Sequence, residues 1–206
     1  AQFDLCGACG PEANRVRGED KRWIYPAVMP DGRKVFLLKV LLTNACQNNC
    51  SYCVNRCGRD FPRTTFRPEE LAKLFDEMHR RRLVQGLFLS SGVVGSADHT
   101  MERMIATVEL VRFRYEFPGY VHLKILPGAS AGCIERATEL ANRVSVNLEA
   151  PSQKRLSAIS ESKAFERELL APLKLAKSFA EKKGTVKAGL TTQFVVGAAD
   201  ESDGEI

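Results

Sequence analysis

The sequence predicts an α/β fold built on a mainly parallel sheet, and three observations support this. From residue 34 onward, short β-branched or Leu-rich runs alternate with longer helical patterns, the signature of successive βα units. The end of every strand carries polar or glycine residues, at the edge where barrels and doubly wound sheets gather their chemistry. Two strands also have one polar face: Arg143, Ser145, Asn147 and Glu149 alternate with Val144, Val146 and Leu148, and His122 and Lys124 alternate with Val121, Leu123 and Ile125. A sheet covered by helices on both sides is apolar on both faces, so these strands predict a barrel with a partly wet interior. An edge strand with a solvated face is the plainer alternative.

The elements follow in order. The first strand spans residues 35–42 and runs into a long, polar, cysteine-bearing loop. Pro68-Glu69-Glu70 opens a helix over 68–83, with Leu71, Leu74, Phe75 and Met78 at helical spacing. A second strand, 86–91, leads into Gly92-Val93-Val94-Gly95, and a helix over 100–117 stops at Pro118-Gly119. The third strand covers 120–126 and its helix 130–140. The fourth strand covers 143–149, helical sequence fills 152–183, and a fifth strand covers 186–196. Residues 1–33 stand apart as a leader ahead of a core spanning 34–206.

Composition narrows the class. The 206 residues are 44% hydrophobic and 27% charged, which excludes a disordered or fibrous chain. The longest apolar run, residues 35–42, is short and interrupted by Lys39, so no membrane-spanning helix is expected. The first residues lack the basic start and apolar stretch of a secretory signal, and a reducing cytoplasm is the expected compartment. There, clustered thiols serve as metal ligands or reactive groups rather than disulfides. A net charge of +5 and a pI near 8.9 tilt the chain toward an anionic partner.

The loop after the first strand contains Cys46, Cys50, Cys53 and Cys57. Cys46, Cys50 and Cys53 form a C-x3-C-x2-C run, compact enough for one inorganic centre, and soft thiolates select zinc, copper(I) or iron–sulfur clusters. Structural zinc uses two separated ligand pairs, and no second pair follows. A four-iron cluster needs one ligand per iron, so three cysteines leave one iron open to a substrate or cofactor. Cys57 as a fourth ligand would instead make a closed redox or zinc module. Against that reading, the first spacing differs from that of ferredoxins, and Gly58 stands where they carry proline.

Cys46, Cys50, Tyr52 and Cys53, directly after the first strand of a βα chain, resemble the radical S-adenosylmethionine (SAM) superfamily. The resemblance implies a [4Fe–4S] cluster held by Cys46, Cys50 and Cys53, with SAM chelated to the open iron. It further implies reductive cleavage of SAM to a 5′-deoxyadenosyl radical and an electron donor such as flavodoxin or ferredoxin. Tyr52 would lend its backbone to the adenine. Ser91 and Gly92 stand where the family usually reads Gly-Gly-Glu for the methionine amino group, here without the acid. Asn147 and Glu149 are placed like ribose-binding residues, and Val195 lies on a strand end resembling the adenine-contacting one. Family cores have six βα units, so the expected architecture is a partial (β/α)6 TIM-like barrel with five strands present and the C-terminal unit missing.

The stretch from Cys50 to Cys57, with Phe61-Pro62-Arg63-Thr64-Thr65-Phe66 and Leu89-Ser90-Ser91-Gly92, is similar to a branch described as DNA modification or repair proteins. That branch is linked to a uracil-DNA-glycosylase-like partner, which implies nucleic acid as substrate, although its helix-hairpin-helix segment is absent from this sequence. Arg56, Arg59, Arg63 and Arg67 beside the motif suit phosphate contacts, or form a solvated loop. His122 and Lys124 are the lumen candidates for substrate contact. Cys6 and Cys9 form either half of an auxiliary metal site or a leader with incidental thiols. Cys133 is expected as a packed small hydrophobe.

Overall fold

The computed structural model describes residues 24–28, 32 and 34–206. Among these, six strands form one sheet in chain order. Strands β2 (Lys34–Leu41), β3 (Gly86–Ser90), β4 (Tyr120–Lys124), β5 (Arg143–Ser145) and β6 (Leu190–Thr191) are parallel, while β1 (Tyr25–Val28) runs antiparallel along β2. Strictly sequential order, with a helical return after each of β2 to β5, curls the sheet into a half-barrel. Sequence reasoning found no strand at 25–28. Cys6 and Cys9 lie outside the described residues.

Register separates the two faces. Val40, Leu89, Leu123 and Val144 align across the sheet, and all are buried. They pack beneath helices α1 (Pro68–Arg80), α2 (Ala97–Glu109) and α3 (Ala131–Leu140), whose Leu71, Phe75, Met101, Met104 and Ile134 complete the main core. The neighbouring register row, Lys39, Phe88, His122 and Arg143, lies on the other, concave face. Next to it come Leu41 with Ser90, and Lys124 with Ser145 and Thr191. The polar alternation in the sequence therefore marks the barrel interior.

Helix starts follow local chemistry. Pro68 opens α1, and the Glu70 carboxylate accepts the Arg67 backbone N–H. The Ser96 hydroxyl caps α2 through the His99 N–H at 3.0 Å, so this helix begins three residues before the expected start and continues through a π-helical turn, Leu110–Arg114. The helix expected over 152–183 is broken. It consists of α4 (Gln153–Ile159), a π-helical turn (Phe165–Leu170) and α5 (Ala171–Lys183), which ends at Gly184 in the left-handed conformation. Strand β6 is far shorter than the expected 186–196, because Val186 and Gly189 have φ of 53° and 84° and bend the chain away from the sheet. Beyond β5 the backbone continues to a parallel bridge between Glu149 and Phe194.

A second apolar cluster gathers Leu148, Leu156, Ile159, Phe165 and Leu169, with Tyr52, Phe194 and Val195 packed against it. It ties the cysteine loop to the last third of the chain. Among the described residues, no helix is long and apolar enough to cross a membrane.

Candidate cofactor site

The cysteine loop leaves β2 at the carboxyl edge of the sheet and returns to its own starting point. Thr43 and Thr65 bridge the two ends, with their hydroxyls 2.6 Å apart, and the Phe66 N–H donates to the Leu42 carbonyl. Two asparagines cap the loop. Asn44 accepts from the Thr64 N–H and donates to the Pro62 carbonyl, while Asn49 accepts from the Gly58 N–H. Arg63 is the central staple: its guanidinium donates to the carbonyls of Asn44, Asn55, Arg56 and Arg59 at 2.6–2.9 Å, and it sits 3.9 Å from the Phe61 ring centroid. The phosphate contact entertained for Arg63 is therefore corrected: its donors are spent inside the loop. Arg59 and Arg67 are exposed.

The loop is seated from two sides. On the side of the segment that follows β3, Gln47 donates to the Val93 carbonyl and Gly92 to the Thr43 carbonyl, both at 2.8 Å. A Cβ on Gly92 would lie 2.0 Å from the Ala45 carbonyl oxygen, so only glycine admits the loop this close. On the far side, Ser51 donates to the Ile159 carbonyl at the end of α4, and Cys50 Sγ shares a 3.1 Å hydrogen bond with Ser160 Oγ. Cys50 is buried, Cys46 and Cys53 are half-buried, and Cys57 is exposed. Burial raises the Cys53 thiol pKa, and the nearby Cys50 and Cys46 raise it further. The three sulfurs thus share one electrostatic neighbourhood. Among the described residues, no three His, Cys, Asp or Glu side chains are grouped to hold a single metal ion.

Tyr52 points from the same loop into a buried polar network. Its hydroxyl hydrogen-bonds the Glu149 carboxylate and accepts from Lys163 Nζ at 3.2 Å, and Lys163 lies 3.7 Å from Glu149. Burial and the adjacent carboxylate push the phenol far above its ordinary range. Glu149 holds a φ of 66°, which turns its side chain inward while its backbone pairs with Gln193 and Val195. The Glu149 carboxylate, expected at the SAM ribose, is thus engaged with Tyr52 and Lys163. Sequence reasoning missed Lys163, which reads as one more lysine in a helical run. It also missed Ser160.

The remaining expected residues sit around the same edge. Asn147 donates to Gln193 at 3.2 Å, and its Oδ1 is buried without a partner, as is Ser91 Oγ. Val195 is half-buried and donates its N–H to the Glu149 carbonyl. His122 stacks on Phe88 with centroids 4.4 Å apart, and its Nε2 shares a 2.9 Å hydrogen bond with Ser145 Oγ. Burial first, then Arg143, Lys124 and Lys39, lower its pKa to about 3, so it is neutral at physiological pH. Lys124 shares the concave face one register row nearer the mouth. Cys133 is buried in α3.

A half-barrel of sequential βα units, with three cysteine thiols on the loop after its first parallel strand, defines an α/β domain of the TIM-like class. The family described as the radical SAM superfamily matches residues 40–205, and the chain belongs to it. No curated protein sequence matches the chain. Among solved structures, methylornithine synthase (PylB) is similar at 17% identity and a TM-score of 0.58, over 78% of this chain and 44% of that one. HydG, a maturase of the [FeFe]-hydrogenase, gives 13% identity and a TM-score of 0.62, over 80% of this chain and 36% of that one. OxsB, a cobalamin-dependent S-adenosylmethionine radical enzyme, gives 12% identity and a TM-score of 0.56, over 84% of this chain and 29% of that one. The chain spans less than half the length of these proteins.

Membership implies a [4Fe–4S] cluster and SAM, and the residues present fit them. Three thiols of one polarity-rich loop form the donor set that an open cluster needs. The orphaned Asn147 Oδ1 and Ser91 Oγ leave unspent acceptors at the carboxyl edge, where a polar cofactor would satisfy them.

Proposed function

We propose that the protein is a radical SAM enzyme in which Cys46, Cys50 and Cys53 hold the cluster and the concave sheet face receives the substrate. Held by Cys46, Cys50 and Cys53, a cluster with SAM would supply the one-electron reduction and hydrogen-atom abstraction chemistry of the superfamily. The chain's own residues arrange the site for this. Ser160 and the Ile159 carbonyl fix the Cys50 segment, Arg63 keeps the loop closed, and Gly92 lets it lie against β3. Asn147, Ser91 and Gly92 would offer polar groups to SAM, and Tyr52, Glu149 and Val195 would stand on its adenosine side, with the Glu149 carboxylate shared with Tyr52 and Lys163. The observation that carries the reading is the seating of three thiols at the carboxyl edge of the half-barrel, with Cys57 left exposed.

The substrate is proposed to be nucleic acid, with DNA modification or repair as the role and a uracil-DNA-glycosylase-like protein as partner. A net charge of +5 and the basic concave face support this. A flavodoxin or ferredoxin would deliver the electron, in a reducing cytoplasm that keeps the thiols free.

Anaerobic reconstitution tests the reading. The full chain should take up about four irons and four sulfides and form 5′-deoxyadenosine from SAM under strong reductant. Cys46→Ser, Cys50→Ser and Cys53→Ser should each abolish this, and Cys57→Ser should not. Loss of the centre in Cys57→Ser would instead establish a closed four-cysteine module.

A further inference from the structure

Each of the three sulfurs assigned to the cluster meets one hydrogen-bond donor, and the donors come from three different parts of the chain. The Val93 N–H, on the segment after β3, donates to Cys46 Sγ at 3.5 Å. The Asn55 N–H, within the loop itself, donates to the Cys53 sulfur. Ser160 Oγ, at the end of α4, lies 3.1 Å from Cys50 Sγ. Among the described residues, no such donor meets the sulfur of Cys57.

Of the three contacts, only the one from Ser160 is made by a side chain, and it is shielded. Ser160 is 2% exposed and Cys50 4%, so bulk water has little access to either. The Ser160 N–H donates to the Leu156 carbonyl at 2.7 Å, and the Ser160 carbonyl accepts from the Lys163 N–H, which fixes the main chain and leaves the hydroxyl only its own rotation. Among the described residues that hydroxyl makes no other hydrogen bond. With a free thiol either partner can donate. A sulfur bonded to iron carries no proton and only accepts, so in a loaded site the hydroxyl is the donor.

Hydrogen bonds to ligating sulfurs are among the quantities that set the potential of an iron–sulfur centre. One electron entering a [4Fe–4S] core takes it from the 2+ to the 1+ state with no proton transferred, and the sulfurs share the added negative charge. A donor at a sulfur therefore stabilises the reduced state more than the oxidised one. We propose that Ser160 is a positioning residue whose hydroxyl donates to the Cys50 thiolate of the loaded site and raises the reduction potential of the cluster, easing its reduction by a low-potential electron donor. The proposal rests on the radical SAM reading in taking Cys50 as a cluster ligand. Ser51 supplies the contrast on the same seam: its hydroxyl donates to the Ile159 carbonyl at 3.3 Å, and so helps seat the loop through a carbonyl rather than a sulfur.

The test is a potentiometric titration of the reconstituted full chain in the absence of SAM, followed by the electron paramagnetic resonance signal of the reduced cluster. Ser160→Ala should still hold about four irons. Its potential should be lower by a threefold to tenfold change in the reduction equilibrium, about 28–59 mV for one electron. Ser160→Thr, which keeps the hydroxyl, should restore the wild-type value, and Ser51→Ala should leave the potential where it is. Ser160→Cys, nearly isosteric and a weaker donor, replaces the alanine variant if that chain loses its circular dichroism spectrum, and should give a smaller shift in the same direction. An unmoved or raised potential in the Ser160 variant, or an equal drop in Ser51→Ala, would overturn the proposal. So would a folded Ser160→Ala that retains no iron, since the hydroxyl would then only seat the loop. Iron uptake and 5′-deoxyadenosine formation by the wild-type chain report separately on the radical SAM reading. A loaded, SAM-cleaving chain whose potential ignores Ser160 would sink this role alone.

Discussion

Lys163 and Glu149 form the pair most open to a quantitative test. Their charged atoms lie 3.7 Å apart, and their side chains are 7% and 9% exposed. At an effective dielectric of about 20, two unit charges at that distance attract by about 4 kcal/mol. Most of that attraction offsets the cost of removing both charges from water, so the pair itself adds little net stability. Removing one partner should nevertheless be severe. Lys163→Met leaves Glu149 buried with only the Tyr52 hydroxyl for company and should cost about 3–5 kcal/mol. Glu149→Leu should cost a similar amount, while the double variant should recover most of the loss and give a coupling energy of about 2–4 kcal/mol. The assay is urea unfolding of the metal-free chain under anaerobic, reducing conditions, followed by tyrosine fluorescence and circular dichroism at pH 7. A chain with about 5–15 kcal/mol of stability tolerates the single losses and stays measurable. Single costs below about 1 kcal/mol, or strictly additive ones, would refute the idea that these charges exist for each other.

Lowering the pH should destabilise the fold through His122. Its native pKa of about 3 lies below the unfolded value of about 6.5, so the unfolded chain binds more protons between those limits and stability falls as pH drops through that window, by about 2 kcal/mol at pH 5. His122→Gln should flatten that slope in acid titrations followed by denaturant melts. Gly92→Ala should push the Ala45 carbonyl aside and cost about 1–3 kcal/mol, with a matching loss of iron retained after desalting; wild-type stability and retention would refute the close approach. Arg63→Gln should increase proteolytic cleavage within residues 44–62 at least tenfold while sparing the helices, since four carbonyls lose their shared donor.

The parts legible in the sequence were those with a local signal. Pro68 and its acids marked α1, glycine and proline marked most strand ends, and the polar alternation at His122 and Arg143 marked the concave face. The cysteine spacing named its chemistry because three thiols on one short loop need no distant residue to make sense. What escaped was set by tertiary contact. The break between α4 and α5 has no glycine or proline; the chain leaves the helix so that Ser160 can reach Cys50 and Lys163 can reach Tyr52 and Glu149. Strand β1 is four residues long and depends on pairing with β2. Arg63 looked like one of several basic residues because four backbone carbonyls leave no trace in a sequence.

The seat of the cysteine loop lies about 110 positions downstream, at Ile159 and Ser160. A ribosome adding about 5–20 residues per second needs on the order of 5–20 s to synthesise that interval. Throughout it, the loop has its own staples and the segment after β3 to rest against, but not its second wall. The loop can be walled on both sides only once that late segment is in place. A cluster delivered before then would meet a site open on its far side, and one delivered afterwards a site closed on both.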